Sequence, residues 1–195
     1  VTAVELQPDF HDAASRLTRR CGLDDRVRHV RADFLEAEFE DRHDALVSWL
    51  TFLHIDDHAA LFRRCRAALV DGGALFAEDF VADAPLTVRE RRLLSEEVYC
   101  RALPDRDRYR ERLESAGFTD VEMHSMTEPW TRFVVARERA FAADRERYRR
   151  LHGRAAEERL ARFYGVVREL FEGGNLGGAR IVARAAPNPG TAALR

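Results

Sequence analysis

The residues best suited to chemistry in this chain are acids that close short apolar runs. Glu5 follows Val1-Thr-Ala-Val, and Asp33 follows Val27 to Val30 with Phe34 beside it. Ser48 through His54 lies at the end of the apolar run Ala45 to Phe52, and Glu78-Asp79 lies near the end of Ala74 to Phe80. If these runs are parallel strands, their carboxyl ends form the edge where open sheets bind ligands. An acid after one strand can accept both ribose hydroxyls of a nucleoside, which suits Glu5. Asp33 after the next can take an adenine amino group, with Phe34 against the ring face. Each also has a plainer reading: a strand that ends in Glu, and an Asp that caps a helix. Cys21, Cys65 and Cys100 form no C-x-x-C pair, so a zinc site or a disulfide framework is not indicated, and a reduced cytoplasmic setting is expected. Cys21 and Cys65, near the ends of amphipathic stretches, read as small buried hydrophobes.

The pattern around these residues predicts the elements that must hold them. Val1 to Glu5 reads as a strand, followed by a helix from Pro8 to about Arg20 with Ala13, Ala14 and Leu17 on one face, stopped at Gly22. Val27 to Val30 is a second short strand, and Ala45 to Phe52 a strand covered on both faces. A helix with Leu61, Phe62, Cys65 and Leu69 on its buried stripe follows, then a turn at Asp71-Gly-Gly73 and a strand from Ala74 to Phe80. Strands alternating with helices imply right-handed crossovers and a parallel, doubly wound sheet. The second half is more helical. It predicts helices over Leu86 to about Tyr99, over Arg106 to Ser115, and through a long region from Thr131 to about Phe171, interrupted near Gly153 and Gly165. Strands are expected at Val121 to Met126 and at Ala179 to Ala183, the latter after a turn at Gly173–Gly178. Residues 187–195 read as a disordered tail. Opposite charges between Arg137 and Arg162 fall at helical spacings, which marks a solvated helix face.

Composition narrows the function. At 195 residues and 46% hydrophobic content the chain is sized for one domain with a real core. No apolar run reaches 18 residues and no signal-like start is present, so no membrane role is expected. A net charge of −2 gives no support for nucleic-acid binding. There is no lysine: all 32 basic side chains are arginine. Schiff-base chemistry and a P-loop lysine are therefore excluded.

Five segments recur in a fixed order in one family: Val-Thr-Ala-Val-Glu-Leu-Gln-Pro (1–8), His-Val-Arg-Ala-Asp-Phe (29–34), Asp-Ala-Leu-Val-Ser (44–48), Leu-His-Ile (53–55) and Leu-Val-Asp-Gly-Gly-Ala-Leu-Phe-Ala-Glu-Asp (69–79). On these the sequence resembles the class I S-adenosylmethionine-dependent methyltransferases, from their second sheet strand to their last. Its second half is most similar to small-molecule N-methyltransferases acting on sarcosine, dimethylglycine or phosphoethanolamine. The segments that carry this are Phe-Leu-His-Ile (52–55), Glu97-Val-Tyr-Cys-Arg101 with Leu103-Pro104, residues 108–118, and Glu128-Pro-Trp130. The resemblance implies a Rossmann-like, doubly wound, mostly parallel α/β sheet over residues 1–186, with a lid insertion at about 82–103 and a helical insertion at about 131–171. The family's first strand, its Gly-rich loop and its first helix would lie before Val1. Their absence predicts a chain shortened at its N-terminus, with unpaired edges on the two strands that would flank the missing one. Gly173–Gly178 precedes a strand, and so does not replace the Gly-rich loop.

The resemblance also implies roles. S-adenosylmethionine would be the methyl donor, with Glu5, Leu6, Asp33, Phe34, Ser48 and Trp49 on the cofactor. His54 would face the methyl group as general base. Arg101 would hold a carboxylate or phosphate of the acceptor, and Tyr99, Trp49 and Trp130 would wall the site and favour a methylated cationic amine. For Trp49 and Trp130 core packing is an equal reading, and for Arg101 a plain surface position. No metal is expected, and the partner is a small-molecule substrate rather than nucleic acid or membrane. Three alternatives stay open: methylation of an oxygen acceptor, a non-catalytic remnant acting in protein association, and an NAD-type nucleotide-binding oxidoreductase.

Overall fold

The structure is a computed structural model that describes Val1 to Pro187. The tail expected from residue 187 lies, beyond that residue, outside the described residues.

The chain opens with a small parallel unit. Strand β1 (Thr2–Glu5) leads into helix α1 (Pro8–Arg20) and strand β2 (Arg28–Arg31), which pairs with β1 in parallel, Glu5 opposite Arg31. Pro8 sits at the first helical position, where its missing N–H costs nothing, and Gly22 turns the chain out of the helix at φ +65°. The side chain of Thr18 reaches His29 Nε2 at 2.8 Å, pinning α1 to β2.

The larger sheet has four strands: β3 (His43–Trp49), β4 (Leu69–Ala82), β5 (Phe118–Ser125) and β6 (Leu176–Ala185), in the order β3-β4-β6-β5. β3 runs parallel to β4, while β6 is antiparallel to both β4 and β5. Three of its four strands share one direction, but the reversed β6 makes two of the three pairings antiparallel, so the sheet is mixed within the α/β fold expected. Among the described residues β1 and β3 each pair on one side only.

Helices cover the sheet on both faces. Helix α2 (His58–Ala68) lays Leu61, Phe62 and Cys65 on Leu75, Val81 and Ile181 of the sheet. Helix α4 (Arg106–Ser115) closes this core with Tyr109 and Leu113. A second core on the other face joins helix α3 (Val88–Glu97) to helix α7 (Arg154–Glu172) through Leu94, Val98, Val167 and Leu170. Helices α5 (Thr127–Ala143) and α6 (Arg145–His152) bury no residue fully, as their charge pattern predicted. Among the described residues no helix is long and apolar enough to cross a membrane, and no group of His, Cys, Asp or Glu could hold a metal ion.

Several boundaries differ from the sequence reading for identifiable reasons. Asp71-Gly-Gly73 is not a turn before the strand but a bulge within β4: His43 faces Leu69, and Ala45 already faces Ala74. Gly165 does not interrupt the long helical region, because it lies inside α7; the breaks come at Asp144 and at Gly153, where φ is +84°. β6 begins at Leu176 rather than Ala179, so Gly177 and Gly178 belong to the strand. Trp130 lies so close on the backbone there that a Cβ on Gly178 would collide with its ring. Cys21 is exposed, not buried, because α1 presents no face to a core; Cys65 is fully buried as expected.

Candidate active site

The two acids expected to meet the cofactor, Glu5 and Asp33, stand at neighbouring strand ends, and each is fixed in the same way. Glu5 Oε1 accepts the N–H of Gln7 at 2.7 Å, and Asp33 Oδ1 accepts the N–H of Leu35 at 2.8 Å. These tight turns just past the two strands, one leading into α1 and the other toward β3, orient each carboxylate and leave its second oxygen open. Leu6 beside Glu5 is 59% exposed. Phe34 instead turns inward: it packs on the main core and stands 5.9 Å from the Phe39 ring.

The remaining candidate residues lie at and beyond the end of β3. Ser48 is nearly buried in the strand, while Trp49 is 63% exposed and meets Phe76 edge-on at 6.1 Å. Leu50 leaves the strand at φ +50°, and its N–H returns to the Glu78 carbonyl at 2.8 Å. Arg180 holds the Glu78 carboxylate at 2.7 Å, so the strand end is braced from β6 as well. A single 3-10 turn, Phe52–His54, follows, with Phe52 and Leu53 buried on opposite faces of the sheet and His54 exposed between them.

The insertion after β4 then folds back onto this turn. The carbonyl of Tyr99 accepts from His54 Nδ1 at 3.3 Å, and Arg101 pairs with Asp56 at 3.6 Å. Tyr99 is in the left-handed region at φ +57° with its ring exposed, although it is neither Gly nor Asn. A bulky residue held there costs about 1–2 kcal/mol, as does Leu50. Backbone strain of this kind concentrates where function demands a geometry. His54, Tyr99 and Arg101 thus come together at the turn, and Ser48 and Trp49 lie on the strand that leads into it. Trp130 does not join them: it packs between Phe80 at 6.0 Å and Phe171 at 6.3 Å in the second core.

Beneath the turn lies a polar cluster that sequence reasoning left without a role. Asp79 is 1% exposed, and Tyr109 donates its hydroxyl to Asp79 Oδ2 at 3.3 Å, while Oδ1 has no partner among the described residues. Burial pushes the Asp79 carboxyl up to about 7, against the pull of the nearby Phe80 and Leu53 main-chain N–H groups and of Tyr109. Burial, with Asp79 and Asp56 nearby, likewise pushes the Cys100 thiol up to about 12, so it is no nucleophile. His58, also buried, takes a hydrogen bond on Nδ1 from Arg112 at 2.7 Å; a guanidinium only donates, so His58 is neutral with its proton on Nε2. Burial first, and then Arg112, holds its pKa below the usual histidine value. An acid inside the apolar run Leu75 to Val81 was the available signal for Asp79. Nothing in the sequence places Tyr109 or His58 beside it.

Residues 1–73 match the profile of a methyltransferase domain. No curated protein sequence matches the chain. Solved structures with the same fold include a proposed sarcosine dimethylglycine methyltransferase from Galdieria sulphuraria, with a TM-score of 0.84 at 16% identity over 95% of this chain and 69% of that one. A phosphoethanolamine N-methyltransferase from Haemonchus contortus gives 0.83 at 22%, over 96% of this chain and 43% of that one. The cyclopropane synthase MmaA2 from Mycobacterium tuberculosis gives 0.77 at 19%, over 94% and 69%. The chain therefore spans 43% to 69% of the length of these structures. In the methyltransferase fold both acids, Glu5 and Asp33, and the His54 turn lie in or next to the strands that residues 1–73 supply.

Proposed function

We propose that this chain is the acceptor-binding and adenosine-binding part of an S-adenosylmethionine-dependent methyltransferase whose acceptor is a small amine. The observation that carries this reading is the pairing of two kinds of strand end in one methyltransferase fold. Oriented carboxylates close β1 and β2, and a tethered, solvent-facing imidazole follows β3. The open oxygens of Glu5 and Asp33 suit a ribose and an adenine amino group, and Leu6 offers an apolar contact. The Haemonchus protein is in complex with S-adenosylhomocysteine, which agrees with that assignment. When bound, S-adenosylmethionine supplies a methyl group on a positively charged sulfur.

The chain's own residues do the rest. An amine attacks only through its lone pair, so its proton must leave before or during transfer; His54 Nε2 is the group to receive it. Arg101 anchors an anionic end of the acceptor, and the exposed rings of Trp49 and Tyr99 give its cationic end an aromatic wall. Residues 82–103, folded over the His54 turn, exclude water. Alignment of donor and acceptor can supply ~7–11 kcal/mol of the barrier, so positioning counts for more than acid–base strength.

The test uses the native polypeptide that carries these residues, titrated with S-adenosylhomocysteine and with NADH, then assayed against amines, amino acids and phenols. Binding of S-adenosylhomocysteine but not NADH, and turnover of an amine, are expected. His54→Ala is expected to lower turnover by about 10²–10⁴ with S-adenosylhomocysteine affinity retained. Preferred turnover of phenols would move the acceptor to oxygen. Binding of neither nucleotide would leave the chain as an association module.

A further inference from the structure

The histidine that ends the 3-10 turn, His54, and the one that begins α2, His58, are wired oppositely. His58 receives a proton donor on Nδ1, from Arg112, whereas His54 faces a pure acceptor there, the Tyr99 carbonyl. A carbonyl cannot donate, so the His54 proton must sit on Nδ1, and the lone pair of the neutral ring is on Nε2. The direction of that carbonyl is fixed from both sides. Val98 and Cys100 are buried at 5% and 2% exposure, and both of their N–H groups return to the Leu94 carbonyl, at 3.2 and 2.9 Å. With its neighbours held, Tyr99 is forced to φ +57°, and that conformation turns its carbonyl toward His54 while its ring stays in solvent. The Arg101–Asp56 pair ties the next residue to the same loop.

We propose that Tyr99 is a positioning residue for His54. Its main-chain carbonyl, aimed by the left-handed backbone, keeps His54 in the tautomer whose Nε2 can accept a proton. The role belongs to the conformation at residue 99 rather than to the tyrosine ring. It deepens the reading of His54 as the base, and it rests on that reading for its catalytic meaning but not for its geometry.

The geometry can be read directly from the ¹⁵N shifts of His54 in the native polypeptide, above the pH at which the ring is neutral. The expected spectrum shows a protonated Nδ1 and a bare Nε2; a predominant Nε2–H form overturns the proposal. Two substitutions separate backbone from ring. Tyr99→Asn tolerates a positive φ and keeps the carbonyl in place, so the tautomer and kcat should hold while KM rises with loss of the aromatic wall. Tyr99→Val removes the same ring but disfavours that φ. It should give mixed tautomers, a kcat lower by roughly tenfold or more, and an altered acidic limb of the pH–rate profile. Equal tautomer populations in the Val and Asn variants would overturn the proposal even if both lose activity. If His54→Ala keeps full turnover while the wild-type spectrum shows Nδ1–H, the base assignment fails and the Tyr99 contact stands.

Discussion

The β1–α1–β2 unit and the four-stranded sheet are built from similar residues yet are held together differently. No residue from Val1 to Glu36 is buried, and Phe10 and Leu17 of α1 are 66% and 63% exposed. A pair of four-residue strands, the Thr18–His29 bond, the Val1 amino group on the Arg26 carbonyl and the edge-on rings of His11 and His29 order that unit without a buried core among the described residues. In the larger sheet and the α2 helix packed on it, Leu61, Phe62, Leu75 and Ile181 are between 0% and 1% exposed, and β4 is lined on both sides by partners. Apolar content is therefore a poor guide to where stability resides; what counts is whether a second layer exists to receive it. The difference also sorts the functions. The acids proposed for the cofactor stand on the thinly packed unit, and the proposed base stands on the well-packed one.

The largest test of this contrast is to remove one apolar side chain from each region. Phe62→Ala should cost about 3–5 kcal/mol of stability, because the ring is fully buried against Phe52, His58 and Tyr109 and leaves a cavity. Leu17→Ala should change it by less than about 0.5 kcal/mol, since most of that side chain is already in water. Denaturant unfolding of both variants measures the two numbers. Comparable losses would mean that α1 is covered in the native polypeptide, and the contrast would vanish.

How much of this could be read in the sequence follows the same division. The order of strands and helices was legible throughout, since period-two and period-3.6 apolar patterns are local properties. The placement of Glu5, Asp33 and His54 at or just past strand ends was legible because each closes such a pattern. Their surroundings were not. That Trp130 belongs to a core depends on Gly178 from a strand some fifty residues later, and that Tyr99 reaches His54 depends on a chain reversal after α3. The ion pairs of Glu157 with Arg145 and Arg149 cross the helix break at Gly153, so no helical spacing announces them. Gly165 misled because a glycine on an open helix face, with no atom near a would-be Cβ, is merely tolerated there.

A second test sits inside the well-packed region and asks what burying Asp79 costs. Asp79 has its pKa raised by burial from 3.8 to about 7, with Tyr109 and Cys100 as its titratable neighbours. Between those pH values the unfolded chain has lost the proton that the folded chain keeps. Stability must therefore fall as pH rises from about 4 to about 7, and stay lower above that. Unrelaxed, the cost is about 4 kcal/mol; relaxation of a real interior brings it to about 2–3 kcal/mol. Asp79→Asn should match the wild type near pH 4 and exceed it near pH 8 by about that amount. Identical slopes of stability against pH in the two proteins would show that Asp79 is hydrated or ionised at neutral pH.

The smallest test tries to narrow the contrast from the weaker side. Helices α2, α3 and α4 each begin at a side chain that accepts a main-chain N–H: Asp57, Thr87 and Asp105. Helix α1 begins at Gln7, which makes no such bond although its backbone (φ −81°, ψ 122°) is already in the extended shape a cap needs. Gln7→Ser places a short hydroxyl beside the free N–H groups of Asp9 and Phe10. It should stabilise α1 by about 0.5–1 kcal/mol. Amide hydrogen exchange resolves the effect by region, because α1 opens without the larger sheet if the unit is as loosely held as its burial indicates. Slower exchange confined to α1, with β4 unchanged, is expected. Equal slowing in both regions would show that they unfold as one cooperative body, and that the thin packing of the first unit is offset by coupling to the second.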